Sequence, residues 1–69
     1  MNRNSVGYLI KHYRLLKGIT IEKFAKKMGV SRMTVYNWES NKKLPSLDKY
    51  TKIAKVLGID VAEFTKYFK

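Results

Sequence analysis

The side chains that usually perform catalysis are few in this sequence of 69 residues. It has no cysteine, one histidine (His12), and five acidic residues that are scattered among basic ones. The absence of thiols and of a second histidine excludes the common transition-metal sites, and scattered acids argue against a catalytic centre. We therefore expect neither an enzyme nor a metal site, a cofactor or a small-molecule ligand. His12 is expected to be a surface or boundary residue on the first helix.

Charge is the dominant feature of the composition. Fifteen lysines and arginines against five acids give a formal net charge of +10. Such a balance favours a polyanionic partner, either nucleic acid or an acidic membrane surface, although a lysine-rich surface that only maintains solubility is the alternative. Residues 1–43 hold ten basic and two acidic side chains, so the excess lies in the first two thirds of the chain. No apolar run reaches the ~18 residues of a membrane span and no signal-peptide pattern opens the chain, which predicts a cytoplasmic protein.

Three junctions of one type divide the chain: Gly18-Ile19-Thr20, Gly29-Val30-Ser31 and Gly58-Ile59-Asp60. In each, a glycine suited to closing a helix precedes a branched apolar residue, and a residue that caps the next helix follows. A fourth break ends with Pro45 and the cap residue Ser46. These breaks predict one all-α domain over residues 1–69, with helices at about 5–17, 21–28, 32–39, 47–57 and 61–67.

Apolar periodicity supports this division. In the first and fourth predicted helices, apolar residues recur at steps of three and four, as a buried helical face requires. No segment alternates apolar and polar residues for long enough to form a strand. The predicted core faces are Val6, Leu9, Ile10, Tyr13 and Leu16 in the first helix, and Leu47, Tyr50, Ile53, Ala54 and Leu57 in the fourth.

Residues 21–39 have the spacing of a helix-turn-helix. A turn of about three residues forces two helices to cross steeply, which needs a small residue at the crossing (Ala25), a glycine in the turn (Gly29) and an apolar residue beyond it (Val35). If Val35 and Trp38 face inward, the opposite face of the third helix carries Arg32, Met33, Tyr36 and Asn37. Arginine and asparagine form bidentate hydrogen bonds with guanine and adenine, and methionine packs on the thymine methyl group. Tyrosine reaches either a base or a phosphate. An ordinary solvated helix face is the alternative.

The stretch from Gly18 to Glu39, with Pro45-Ser46-Leu47 and residues 53–59, resembles the phage Cro and lambda-repressor-type DNA-binding domain, also called the xenobiotic-response-element family. The resemblance extends from about Val6 to Phe64. It implies a compact five-helix lambda-repressor-like domain whose third helix lies in the DNA major groove. The implied function is that of a sequence-specific transcriptional regulator of double-stranded DNA, of the repressor type, encoded by a bacterium or phage and associated with the nucleoid.

The resemblance also implies which residues contact phosphates, at the starts of helices and in the loop after the third helix. Ile21 departs from the family, whose members often have glutamine there, so the contact would rest on the backbone N–H and the Thr20 hydroxyl. Lys17 and Lys23 are close enough in sequence to compensate. The predicted phosphate-binding residues are Thr20, Ile21, Ser31, Thr34, Asn41, Lys42 and Lys43.

Two further predictions concern structure and assembly. Arg14 and Glu39 correspond to a structural ion pair of the family, between the first helix and the end of the third. One such domain reads few base pairs, so we expect a homodimer whose candidate contact is Phe64, Tyr67 and Phe68. Of these, Phe64 is expected to pack in the core, whereas Tyr67 and Phe68 cannot both turn inward easily. A frayed terminus whose aromatic rings cover the edge of the core is the alternative. The course of the chain from Met1 to a helical end is typical of a complete small regulator, with a fragment as the alternative.

Three other classes of protein fit less well. A cationic membrane binder would need one long helix with an unbroken apolar stripe, which the four breaks interrupt. An RNA binder would need exposed stacking aromatic residues, and most aromatic residues here have core spacing. A protein-interaction module, such as an antitoxin or adaptor with the same fold, is the principal rival, because fold does not fix function. An adaptor would not need Arg32 and Asn37 beside a lysine-containing loop.

Overall fold

The computed structural model describes residues 5–65, and in this part of the chain five α-helices follow one another through short turns. No β-strand occurs in these residues, so the prediction of an all-α, five-helix fold is confirmed. Helix α1 packs against α3 and α4, and α2 packs against α3 and α4. None of the described helices is long and apolar enough to cross a membrane. The helices are α1 (Val6–Leu16), α2 (Ile21–Met28), α3 (Arg32–Glu39), α4 (Tyr50–Leu57) and α5 (Ala62–Thr65).

The turn between α2 and α3 shows how the glycine junctions work. Gly29 has a φ of 74°, a left-handed conformation that side chains disfavour and glycine accepts readily. The N–H of Val30 donates to the carbonyl of Ala25 at 3.0 Å, which closes α2 in a Schellman motif. Ser31 then begins α3, since its hydroxyl accepts the N–H of Thr34. The other two glycine junctions close α1 and α4 in the same way.

The break after α3 contains a fourth closure of this kind that the sequence analysis did not identify. Asn41 has a φ of 63°, and the N–H of Lys42 donates to the carbonyl of Asn37 at 2.9 Å. Asparagine is among the few residues with a side chain that tolerate the left-handed conformation. An asparagine therefore ends α3, whereas a glycine follows α1, α2 and α4.

The entry into α4 differs from the prediction of a continuous helix from residue 47. Leu47–Lys49 forms a 3-10 turn, and the α-helix begins at Tyr50. The side chain of Ser46 makes no capping bond to the backbone. Instead it hydrogen-bonds the carboxylate of Asp48, and this bond lowers the pKa of Asp48 below its usual value.

The core contains most of the predicted apolar residues, with two corrections. Leu47 is 75% exposed and Leu16 is 70% exposed, so neither belongs to the core. Leu47 lies in the 3-10 turn, where helical periodicity does not apply, and Leu16 lies at the end of α1. The most completely buried large side chains are Phe24, Phe64, Ile10, Ile53 and Val35.

Phe64 belongs to this core rather than to a surface. Its ring is fully buried and lies 5.4 Å from that of Tyr50, centroid to centroid. This burial agrees with the expected core position of Phe64, and its part in a dimer contact stays a prediction. Tyr67 and Phe68, the other two residues of that contact, lie outside the described residues, as does the predicted end of the fifth helix.

Candidate nucleic-acid interface

Helix α3 has one buried face and one face that projects from the molecule. Val35, Trp38 and Glu39 are buried. On the other side, Met33 is 65% and Tyr36 is 53% exposed, so this face presents a thioether and an aromatic ring to solvent. Arg32 is also exposed and Asn37 is partly buried. The four predicted base-reading residues therefore lie along one side of the helix, on successive turns.

Arg32 is paired with an acidic residue of the preceding helix. One guanidinium nitrogen lies 3.4 Å from a carboxylate oxygen of Glu22, and both side chains are largely exposed, at 66% and 76%. An exposed pair of this length contributes little, typically below about 1 kcal/mol. Arg32 can therefore exchange Glu22 for another hydrogen-bond acceptor at small cost. This contact was not predicted from the sequence, because it joins residues of two different helices.

A buried ion pair fixes the orientation of α3. The Arg14 guanidinium bonds both carboxylate oxygens of Glu39, with Nε 2.6 Å from Oε2, and donates a third bond to the carbonyl of Ile19 at 2.8 Å. Both side chains are almost completely buried. Removing either partner would leave an uncompensated buried charge, which typically costs about 3–5 kcal/mol. This pair joins α1, the turn before α2 and the end of α3 into one scaffold.

The hydroxyl groups at the starts of α2 and α3 serve first as helix caps. Thr20 accepts the N–H of Lys23 at 3.1 Å, and Ser31 accepts the N–H of Thr34 at 3.2 Å. The Ser31 and Thr34 hydroxyls also share a hydrogen bond of 3.0 Å. The first N–H groups of a helix lack acceptors within the helix and carry its positive dipole end, which suits an anion. The N–H of Ile21 is in this position, while its side chain packs against the core.

The loop after α3 contains one residue with a structural role, Asn41, and two exposed lysines, Lys42 and Lys43. The Asn41 side chain accepts the N–H of Gly7 at 3.0 Å and donates to the Ser5 hydroxyl at 3.1 Å. Its amide thus fixes the loop on α1, and the predicted contact of Asn41 with a phosphate stays a prediction. The backbone N–H groups of Lys42 and Lys43 donate to the carbonyl of Asn37. Both side chains are exposed, so their ammonium groups can contact a partner.

Gly7 is a further residue of this contact that the sequence analysis did not single out. A Cβ atom at this position would lie 2.5 Å from the backbone oxygen of Trp38 and 2.7 Å from that of Glu39. The end of α3 therefore packs directly on the backbone of α1. A glycine inside an apolar helical pattern is the signal that could have indicated this close approach.

The lysines predicted to assist Ile21 are differently placed. The ammonium of Lys17 lies beside the end of α4, only 2.7 Å from where a Cβ on Gly58 would be. The negative end of a helix dipole favours a cation there. Lys23 is exposed in the first turns of α2, and its side chain remains a candidate for contact with a polyanion.

Helices α2 and α3 are joined by a tight turn, and the buried Arg14–Glu39 pair holds the end of α3 against α1. The other face of α3 is exposed to solvent. These features define a helix-turn-helix protein. The family model described as helix-turn-helix matches residues 10–64, and this chain belongs to that family. The resemblance to Cro and lambda-repressor-type domains is thereby confirmed.

Known relatives and structures agree with this assignment. An HTH-type transcriptional regulator of Methanocaldococcus jannaschii is 43% identical over 58 residues, which is 84% of this chain and 88% of the relative. Among solved structures, the biofilm master regulator SinR in complex with DNA superimposes with a TM-score of 0.75 at 33% identity. That match covers 83% of this chain and 92% of the SinR chain.

A third similarity is to part of a much longer enzyme. The methylphosphonate synthase of Nitrosopumilus maritimus is 38% identical over 59 residues, which is 86% of this chain and 13% of the enzyme. A match to so small a part of the enzyme does not carry its catalytic activity to this chain.

Proposed function

We propose that this chain is a sequence-specific regulator of transcription that binds double-stranded DNA through the major groove, using α3 as the reading element. The observation that carries the proposal is the projecting face of α3. Two large side chains, Met33 and Tyr36, are exposed there between Arg32 and Asn37, and the helix behind them is fixed by the buried Arg14–Glu39 pair. A rigid helix that presents hydrogen-bonding and apolar groups to solvent fits the edges of base pairs.

The flanking charges support the same docking. Lys42 and Lys43 follow α3 in the chain and the N-terminal end of α2 precedes it, so groups that attract phosphate flank the reading helix in the sequence. The similarity to SinR, solved in complex with DNA, adds independent support. Under this proposal the protein acts in the cytoplasm with DNA as its partner, performs no catalysis, and represses transcription by occupying its operator as a homodimer. Bacterial or phage origin stays a prediction.

The test separates base reading from phosphate binding. An operator is first selected from random duplex DNA, and the affinities of the wild type, Arg32→Ala, Asn37→Ala and Lys43→Ala are measured on it and on its single-base variants. Loss of a base contact should cost about 1–3 kcal/mol and remove the preference at one base pair. Loss of Lys43 should weaken binding to all sequences equally and lower the slope of log affinity against log salt by about 0.9 per bound protomer.

Two results would contradict the proposal. If the wild type binds no duplex DNA at low salt, the chain is not a DNA-binding protein and the adaptor interpretation replaces this one. If Arg32→Ala and Lys43→Ala lose affinity equally on every DNA, α3 does not read the sequence. Thermal unfolding of each variant serves as the control for folding, and little change is expected because all three side chains are outside the core.

A further inference from the structure

A shallow cleft of about 310 Å³ lies between α1, α2 and the end of α3, beside the proposed reading face. Tyr36 belongs to both surfaces, since it is half exposed on α3 and also forms one wall of the cleft. The cleft therefore opens next to the side of the molecule that would face DNA. Its lining residues are Lys11, Arg14, Ile21, Tyr36, Glu39 and Ser40.

The charge of this cleft is positive. Arg14 and Glu39 neutralise each other in its floor, with the Arg14 Nε only 2.6 Å from the Glu39 carboxylate. Lys11 is exposed and adds a full positive charge that no acidic residue of the lining offsets. Ile21 is the first residue of α2, so the positive end of that helix dipole also meets the cleft. An anion would therefore be attracted to it.

The shape of the cleft favours a group attached to a larger molecule. A site for a free small molecule encloses most of its ligand, whereas this cleft is open to solvent along one side. A phosphate of the DNA backbone needs only one exposed face of a protein, and phosphates line both edges of the major groove. With α3 in that groove, the backbone would pass Tyr36 and reach the mouth of the cleft.

We infer that Lys11 binds a DNA phosphate in this cleft, so that α1 is part of the DNA-binding surface together with α2 and α3. The inference rests on the proposed function and adds a residue that the sequence analysis did not include. Lys11 on α1 and Ile21 at the start of α2 line the same cleft, so Lys11 supplies a cation beside the N-terminal end of α2. Lys17 extends instead toward the end of α4.

The experiment pairs protein variants with DNA in which one phosphate at a time is an uncharged methyl phosphotriester. Affinities for the selected operator are measured for the wild type, Lys11→Ala, Lys11→Arg and Lys55→Ala. The last variant removes one exposed charge from α4, which contributes nothing to the cleft, and is the matched control. Lys11→Ala should lower the affinity about tenfold and the salt slope by about 0.9 per bound protomer, with base preference unchanged. Lys11→Arg should keep most of the affinity.

The phosphotriester series then identifies the partner of Lys11. If one phosphate is that partner, its neutralisation weakens the wild type but has little further effect on Lys11→Ala. The inference is overturned if the effects of Lys11→Ala and of phosphate neutralisation on the free energy of binding add at every phosphate. It is also overturned if Lys11→Ala and Lys55→Ala lose affinity equally. In both cases the proposed function stands. Failure of the wild type to bind the unmodified operator would instead overturn the proposed function, and it would be seen before any variant is measured.

Discussion

Asn41 performs two tasks at the end of α3. Its backbone takes the left-handed conformation that ends α3, and its side chain bonds both Gly7 and Ser5 at the start of α1. Glycine would satisfy the first requirement alone, and alanine would satisfy neither. The lysines that follow are thereby held at a fixed distance from the reading helix.

We expect Asn41→Gly to be less stable than the wild type, and Asn41→Ala to be less stable than Asn41→Gly. The glycine variant loses the side-chain bonds and leaves the N–H of Gly7 without its acceptor, a loss of about 1 kcal/mol. The alanine variant adds the strain of a left-handed residue, roughly 1–2 kcal/mol more. Unfolding in urea measures both. If the two variants are equally stable, the backbone conformation contributes nothing, and if Asn41→Gly matches the wild type, the side-chain bonds contribute nothing.

Among the elements, the helix ends were the most predictable feature of the sequence. A glycine with a positive φ followed by a hydroxyl or carboxylate cap is a local device, so the three glycine junctions could be read from adjacent residues. The helix-turn-helix was predictable for the same reason, as Ala25, Gly29 and Val35 lie within eleven residues.

What the sequence could not reveal depends on contacts between separate elements. The bonds of Asn41 to α1 span 34 and 36 residues, and the Arg32–Glu22 contact depends on how two helices cross. Leu47 has the correct spacing for the core, but the chain forms a 3-10 turn there and directs it outward. The predicted reading face needed no such information, because its four residues follow from the periodicity of a single helix.

The packing of α4 against α5 predicts a loss of stability at alkaline pH. Burial raises the pKa of Tyr50 above its usual value of 10.0. The folded state therefore holds the phenol proton of Tyr50 more tightly than the unfolded state does. The contribution of this group to the free energy of unfolding is complete below pH 10 and is lost as the pH rises through the folded-state pKa. Tyr50→Phe removes the titrating group and keeps the ring that packs on Phe64.

The measurement is the free energy of unfolding in urea between pH 8 and 11.5 for the wild type and Tyr50→Phe. The wild type should lose stability more steeply above pH 10 than the variant does. Lysine deprotonation occurs in both proteins over the same range, so the difference between the two curves isolates Tyr50. Parallel curves would contradict the prediction, whatever the offset between them at pH 8.

At the scale of the whole molecule, the dimensions are suited to side-by-side binding along DNA. The chain measures 30 × 23 × 22 Å, while successive major grooves on one face of the double helix are about 34 Å apart. Two copies can therefore occupy adjacent grooves without overlapping. A single domain reads too few base pairs for high specificity, so such a pair is what the proposed function requires.

We expect cooperative binding to an operator with two half-sites, mediated by the aromatic residues near the C-terminus. Inserting five base pairs between the half-sites turns the copies to opposite faces of the DNA and should abolish cooperativity, whereas the same half-sites in their original spacing retain it.

Substituting Tyr67→Ser and Phe68→Ser together should reduce cooperativity without changing the affinity for one half-site. Leu16→Ser, which removes an exposed apolar residue elsewhere, is the control. Cooperativity that survives the double substitution but not Leu16→Ser would move the dimer contact to the end of α1, and binding that is independent at every spacing would show that the chain acts as a monomer.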